Sequence, residues 1–391
     1  MEFREISHEL NKILSKDIRQ ANGIFFTPNK ARKIIYDKLK EYLFIPKTVL
    51  EPSFGSGEFI QDTIDQYPLA TIYGVEYNKI MFDHVNDSNK YKNAHIIHQD
   101  FLNYKSDPVD LVIGNPPYFV TKQKNTKCMT GRGNIFVQFI YKCLTEHLKP
   151  DGILAFVLPT SFYNCSYYEP CRKYIQHHIT ILHIENIQVD YYDTKQDTMI
   201  LILKNKKPIL SSPDYILAYQ NHVYITPYYK ELQELFTGST TLKELGFQVK
   251  TGEVVWNQHK EKLTKDSEEG TLLIYSTNIG SEKLELNMFK ESSEKKQYIK
   301  NYNGTPISGK AFLVTRGYGN RYKFEYIYLE DYTFYAENHI NVITPRTTQA
   351  NQSIERVNKS FTDPKMIKFI KMFVGNGALS KTELEEIVPI F

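Results

Sequence analysis

The chain has 391 residues, 41% of them hydrophobic and 24% charged, which excludes disordered and fibrous classes and makes two domains the natural expectation. Lysine and arginine number 48 against 45 aspartate and glutamate, and the resulting net charge of +3 selects no partner by itself. No uncharged apolar run approaches the roughly 20 residues of a membrane span, and the N-terminal MEFREISHELNKILSKDIRQ is charged and amphipathic rather than a signal peptide, so a cytoplasmic protein that uses no membrane is expected.

Through the first half, short β-rich runs alternate with helical patterns. Strands are expected at 48–51, 71–75, 94–97, 110–113, 153–158, 179–185 and 198–203, with helices at 57–66, 79–86, 135–148 and 167–177. Several strand runs are almost wholly apolar, as strands buried on both faces of a parallel sheet should be. The helix that opens at Ile135 stops at Lys149-Pro150-Asp151-Gly152, a turn signal. Only about a dozen residues without helical periodicity separate the last two strands, which favours an antiparallel hairpin at the sheet edge. The alternation reads as a doubly wound α/β sheet. The run KNKKPILSSPD at 204–214 marks its end, so a first domain of 1–210, a connection over 211–240 and a second domain of mixed short elements over 241–391 are expected.

Cys128, Cys143, Cys165 and Cys171 form no C-x-x-C pair and no zinc spacing with His177 or His178, so reduced thiols and no metal are expected. Charge is more informative locally. Between Asp110 and Glu146 there is no acid, while Lys122, Lys124, Lys127, Arg132 and Lys142 fall there. Between Glu294 and Glu325 there is again none, and Lys295, Lys296, Lys300, Lys310, Arg316, Arg321 and Lys323 alternate with Tyr298, Tyr302, Tyr318 and Tyr322. Such strips suit a phosphate backbone and stacked bases, or equally a solvated face in a Lys- and Tyr-rich chain.

Ligands of doubly wound sheets bind beyond the carboxyl ends of the strands. Here those ends read Glu51-Pro52-Ser53-Phe54-Gly55-Ser56-Gly57, Gly74-Val75-Glu76, Gln99-Asp100-Phe101 and Gly114-Asn115-Pro116-Pro117-Tyr118. The glycine loop lacks both G-x-G-x-x-G and a following Gly-Lys-Ser/Thr, so a nucleotide-triphosphate loop is unsupported. Glu76 is placed to accept the hydroxyls of a ribose and Asp100 an exocyclic amine of adenine, although helix N-capping is the commoner role of either alone. Acids without a phosphate cradle suit a cationic nucleoside such as S-adenosylmethionine. In Asn115-Pro116-Pro117-Tyr118 the prolines remove two N–H donors and fix carbonyls outward beside the Asn115 amide oxygen, a pair of acceptors that can grip an –NH2 group.

In these residues the chain resembles the γ-class N6-adenine DNA methyltransferases, of the type II restriction-modification kind. Phe25-Phe26-Thr27-Pro28 is similar to the N-terminal cofactor motif of that class, and the segments at 51–59, 74–78, 98–101, 115–118 and 152–162 follow in the family's order. The resemblance implies a seven-stranded S-adenosylmethionine-dependent methyltransferase sheet with a C-terminal mixed α+β target-recognition domain. It implies S-adenosylmethionine held by Thr27, Glu51, Gly55, Gly57, Glu76, Tyr77, Asp100 and Phe101, and catalysis by Asn115, Pro116 and Tyr118. The target adenine would be flipped out of the duplex, stacked on Tyr118 and flanked by Tyr192, with Tyr191 the neighbouring candidate.

The C-terminal segments 251–258 and 315–320 resemble target-recognition domains more loosely. Lys122, Lys124, Asn257, Arg316, Arg321 and Lys323 are the expected DNA-binding residues, since Arg pairs bidentately with guanine and Asn with adenine. The implied partners are double-stranded DNA and a separately acting cognate restriction endonuclease, with the enzyme a monomer. Methylation of RNA adenine or of protein glutamine by the same loop, or DNA binding by a non-catalytic relative, are the competing readings.

Overall fold

A computed structural model describes all residues except 1, 89, 92, 123–124, 193–196, 209–214, 281–282, 288, 291, 318–321 and 375–377. The chain divides into two compact units, Met1–Tyr229 and Lys230–Phe391.

The first unit opens with three helices, α1 (Glu5–Ile13), α2 (Lys16–Ala21) and α3 (Asn29–Glu41). Strands and helices then alternate as β1 (Thr48–Glu51), α4 (Glu58–Gln66), β2 (Thr71–Glu76), α5 (Lys79–Asp87), β3 (Ala94–His98), β4 (Val109–Gly114), α6 (Ile135–Lys142), β5 (Leu148–Pro159), α7 (Glu169–His178), β6 (Thr180–Ile187) and β7 (Thr198–Lys204). They build one seven-stranded sheet in the order β3-β2-β1-β4-β5-β7-β6. The first five strands run parallel, and β7 is antiparallel to both β5 and β6. The expected β6–β7 hairpin is therefore present, but β7 inserts between β5 and β6 and leaves β6 at the edge.

The apolar strand runs have a direct cause. Val49, Leu111, Ile113, Ala155, Val157, Ile200 and Ile202 pack with α1, α3, α4 and α5 on one face. Their alternating neighbours Leu50, Val112, Leu154, Phe156, Met199 and Leu201 pack with α6 and α7 on the other. Both residue parities are buried, which is what a sheet covered on two faces demands. The Lys149–Gly152 turn lies inside β5 instead of before it. Asp151 takes a left-handed φ of 62°, and the β4 register slips there, so the signal marks a bulge. The helix before it ends in one π turn, Cys143–His147.

A hairpin of β8 (Ile216–Tyr219) and β9 (His222–Ile225), expected in a connection, belongs to the first unit. The reason is Arg172 of α7. Its guanidinium is 1% exposed and donates to the carbonyls of Val223, Phe162 and Cys165, tying the hairpin to the core.

Helix α8 (Tyr229–Phe236) opens the second unit. Its strands are β10 (Phe247–Thr251), β11 (Leu263–Thr264), β12 (Thr271–Ile274), the short pair β13 (Ile279–Gly280) and β14 (Lys283–Leu284), β15 (Tyr298–Ile299), β16 (Ile307–Thr315), β17 (Tyr326–Ala336) and β18 (Ile340–Pro345). Its sheet order is β10-β18-β16-β17-β12-β15-β11, antiparallel but for β12 beside β17. Four helices close it, α9 (Thr348–Gln352), α10 (Ile354–Thr362), α11 (Pro364–Phe373) and α12 (Lys381–Glu386), giving the mixed α+β composition expected of the second domain. No helix among the described residues is long and apolar enough to cross a membrane.

Candidate active site

A cavity of about 420 Å3 opens at the carboxyl ends of β1, β2 and β4. Thr27, Glu51, Gly55, Glu76, Tyr77, Asp100, Phe101 and Asn115 all line it, so eight of the expected site residues converge.

Each is held there by local chemistry. The carboxylate of Glu76 is buried and accepts hydrogen bonds from Gly55 N (2.9 Å) and Asn78 N (2.7 Å), which clamps the first strand-end loop to the second. Asn78 itself caps α5 through Met81 N. Glu51, 3% exposed, has a buried Oε2 atom with no hydrogen-bond partner among the described residues. Burial, and then the neighbouring Glu76, push its pKa well above the ordinary carboxylate range; burial also raises Glu76, against its backbone hydrogen bonds. Asp100 accepts from Leu102 N and Asn103 Nδ2, both at 2.9 Å, so the capping role coexists with a place on the cavity wall. Phe101 forms floor, packed on Phe139 at 4.8 Å, whereas Tyr77 stands 72% exposed. Thr27 is buried, and its carbonyl accepts from Arg32 of α3.

Gly57 does not line the cavity. Its φ is +74°, and a Cβ there would meet the Tyr91 ring at 2.4 Å, so it is a glycine because the loop turns against a tyrosine whose hydroxyl holds the Ser56 carbonyl. The N-terminal helix supports the same loop from behind: Ser7 Oγ lies 2.7 Å from Ser56 Oγ and donates to Glu58 Oε1 at 2.5 Å.

The Asn-Pro-Pro-Tyr loop follows β4. Asn115 Nδ2 donates to the Phe25 carbonyl at 2.9 Å, and the Tyr118 hydroxyl is shared between Asn115 Oδ1 and the Val157 carbonyl, 2.7 Å from the latter. The two contacts fix the amide with its nitrogen toward Phe25, while its oxygen accepts from Tyr118 and keeps a second lone pair for a ligand. The Tyr118 ring lies on Phe25 (centroids 5.7 Å apart, 30° between planes) with Phe136 edge-on. Tyr192, expected as the second aromatic, turns away: it stacks on Phe3 at 4.2 Å, and its hydroxyl meets His8 Nδ1 at 2.6 Å. Adjacent residues of a non-helical stretch point to opposite sides, and the side toward the loop falls to Tyr191, edge-on to Phe25 at 6.5 Å and bonded to Thr198.

The expected DNA contacts fare unevenly. Lys124 and Arg321 lie outside the described residues. Lys122 and Asn257 are exposed. Arg316 Nη1 donates to the Asn338 carbonyl, and Asn338 N to that of Val254, which joins Arg316 to the 251–258 segment. The second strip, acid-free in sequence, is not acid-free in space. The sheet brings Glu337 to Lys295 (3.2 Å), Glu269 to Lys300 (3.0 Å) and Glu330 to Lys310 (3.1 Å), while Glu325 pairs with Lys323 (2.6 Å). Phe25 and Asn78, which lie inside the motif segments without a role of their own, and Phe119 and Thr121 also line the cavity. Phe25 was signalled by its motif, and Phe119 and Thr121 by lying just after the Pro-Pro turn.

Among the described residues no cluster of His, Cys, Asp and Glu suits a metal, and all four cysteines are free. A buried, partnerless carboxylate oxygen beside a second acid, with an aromatic floor, fits a ligand that is cationic at one end and a purine nucleoside at the other. The 3-2-1-4-5-7-6 sheet with its reversed seventh strand and this cavity define an S-adenosylmethionine-dependent methyltransferase.

Residues 55–196 match the Eco57I restriction-modification methylase family. Over its whole length the chain is 31% identical to the type II methyltransferase M.CvrRI of Paramecium bursaria Chlorella virus XZ-6E, covering 99% of that protein. It is 30% identical to the modification methylase CviBIII of Paramecium bursaria Chlorella virus NC1A, again over 100% of this chain and 99% of the relative. Among solved structures, the type IIG restriction endonuclease BpuSI aligns with 94% of this chain and 59% of its own at a TM-score of 0.46 and 10% identity. The chain belongs to the type II restriction-modification methyltransferases, enzymes of DNA.

Proposed function

We propose that the protein is a sequence-specific DNA adenine-N6 methyltransferase that draws its target adenine out of the duplex. The observation that carries this reading is the orientation of Asn115. With Nδ2 committed to the Phe25 carbonyl and one lone pair of Oδ1 taken by the Tyr118 hydroxyl, the second lone pair of Oδ1 is an acceptor at the cavity wall, on a loop whose two prolines contribute carbonyls and no N–H groups.

The N6 lone pair of adenine is delocalised into the ring and attacks poorly. Asn115 Oδ1 and the Pro116 carbonyl accept its two hydrogens and favour a pyramidal nitrogen with a localised pair. S-adenosylmethionine, when bound, supplies the electrophilic methyl. Thr27 and Glu51 hold its amino-acid end, with Gly55 and Gly57 shaping the loop. Glu76 accepts from the ribose, Asp100 from the adenine amine, and Tyr77 and Phe101 flank that ring. No general base is needed beforehand, because the amine becomes acidic only once alkylated, so orientation and preset acceptors provide the acceleration. Tyr118 receives the face of the flipped base. Tyr191, rather than Tyr192, flanks it, in keeping with the side each presents. The second unit serves as the target-recognition domain, with Asn257, Arg316 and Lys323 facing DNA. The enzyme works as a monomer, and a separate endonuclease is its counterpart.

The test is Asn115→Ala. Transfer of a labelled methyl to duplex DNA should fall by at least about 100-fold, the scale set by loss of a preorganised acceptor, while cofactor still binds. Digestion of the product to nucleosides should yield N6-methyladenine. Substantial turnover by the variant, a methylated cytosine, or labelling only of RNA or of a release factor offered alongside would overturn the reading.

A further inference from the structure

We propose that Lys122, Lys127 and Arg132, which follow the Asn-Pro-Pro-Tyr motif, grip the phosphodiester backbone next to the target base. This deepens the methyltransferase reading and rests on it.

The first observation is charge without an answer. Lys122, Lys127 and Arg132 are exposed, and among the described residues no carboxylate pairs with any of them. Lys142, in the same acid-free window, is held by Glu146 at 2.6 Å, and Lys295, Lys300, Lys310 and Lys323 of the C-terminal strip have the partners given above. Three unpaired cations within eleven residues repel one another, a cost that an anionic ligand removes.

The second observation is rigidity. Val120 and Asn134 form an antiparallel bridge, Ile135 N donates to Phe119 O (3.0 Å) and Thr121 N to Gly133 O (3.2 Å), which closes the loop at its neck. Its far side is pinned by Cys128 and Met129, 0% and 1% exposed, and by Thr130 N on the Tyr167 carbonyl at 2.8 Å. Gly131 packs so closely on Tyr167 that a Cβ would lie 2.6 Å from its ring. The backbone on either side of Lys127 and Arg132 is thus held at Cys128–Thr130 and at Gly133–Asn134, so binding has less main chain left to order.

The third observation is place. Tyr118 immediately precedes the loop, and Phe119 and Thr121 line the cavity. A flipped nucleotide whose base reaches this cavity trails its two phosphates past the same neck. The surface that fits three such charges is the strand backbone, which positions the enzyme without reading sequence.

Binding of a mixed-sequence 30-base-pair DNA duplex, measured by anisotropy over a sodium chloride series, tests this. Each phosphate contact contributes about 0.9 to the slope of log K against log salt for B-DNA. Lys127→Ala and Arg132→Ala should each lower the slope by about that amount and the double variant by about twice it, while Arg132→Lys restores it and Lys33→Ala on α3 leaves it unchanged. Calorimetric cofactor binding checks that the variants are folded. Variants that fold, bind duplex and keep the parental slope would overturn the loop's role alone. A parent protein that fails to bind duplex DNA would count against the enzyme reading as well. A slope change confined to duplex RNA would overturn the assignment to DNA.

Discussion

Glu51 carries an unusual burden for one side chain. Its carboxylate is buried, one oxygen has no donor, and Glu76 sits close by. Its pKa in the folded protein lies above the unfolded value, so its contribution to stability is full below the ordinary carboxylate range and is lost as pH rises through the raised value. A cationic ligand reverses that balance, because it favours the ionised form. Cofactor affinity should therefore increase with pH through the same interval, with a proton released on binding. Glu51→Gln should flatten this dependence, weaken cofactor binding about 10- to 100-fold at pH 8, and leave the ligand-free protein at least as stable as the parent there. Titration calorimetry in two buffers of different ionisation enthalpy measures the proton release; a pH-independent parent would sink the assignment. That Glu51, Glu76, Asp100 and Asn115 line one cavity was legible in the sequence because strand ends and turn residues announce themselves. Which of Tyr191 and Tyr192 lies beside Phe25 was not, since one residue of offset reverses the side a chain presents and nothing local in DYYD fixes the phase.

At the scale of elements, the strap over the cofactor loop is a buried charge network. Arg32 of α3 is 2% exposed and reaches Glu58 Oε2 at 2.9 Å and Asp62 Oδ2 at 2.6 Å on α4, while also holding the Thr27 carbonyl. Arg4 adds its backbone N–H to Glu58 Oε1 at 2.9 Å. Removing Arg32 takes the buried cation from Glu58, itself 3% exposed, and leaves it the Ser7 hydroxyl, the Arg4 N–H and the half-exposed Arg4 guanidinium at 3.6 Å. Arg32→Ala should destabilise the protein by about 3–5 kcal/mol in urea unfolding, and adding Glu58→Gln should recover part of the loss; strict additivity would show that the two do not interact. Nothing in the sequence pairs residue 32 with residues 58 and 62, for ion pairing across elements depends on how helices pack. The strands were legible because burial of both parities leaves an apolar run. The first twenty residues showed the amphipathic pattern that α1 and α2 bear out, but their packing against the strand-end loop depends on contacts such as Ser7 to Ser56 that sequence spacing does not announce. The Lys149–Gly152 signal identified a real backbone irregularity and misplaced it, since a left-handed residue serves a bulge as well as a turn.

Across the whole molecule, the two units differ in what their residues are free to meet. The cavity draws its lining from residues 22 to 139, all in the first unit. In the second, the lysines of the acid-free strip are largely paired, so sequence windows overstated its charge, and its 3-10 turn at Trp256–Gln258 offers exposed amides instead. Cofactor and DNA should therefore leave different footprints in hydrogen exchange. A ligand at 100 times its Kd stabilises the state that binds it by about 2.7 kcal/mol, so amides that exchange only through opening of the first unit should slow about 100-fold with S-adenosylmethionine. The largest local protection should fall on the lining segments, from the Phe25 motif, the glycine loop and the Glu76 turn to the Asn-Pro-Pro-Tyr loop. Amides around Asn257 and Arg316 should respond chiefly to cognate duplex. Cofactor protection centred on the second unit would contradict the division of labour, because no ligand can slow exchange most strongly where it makes neither contact nor stabilising linkage.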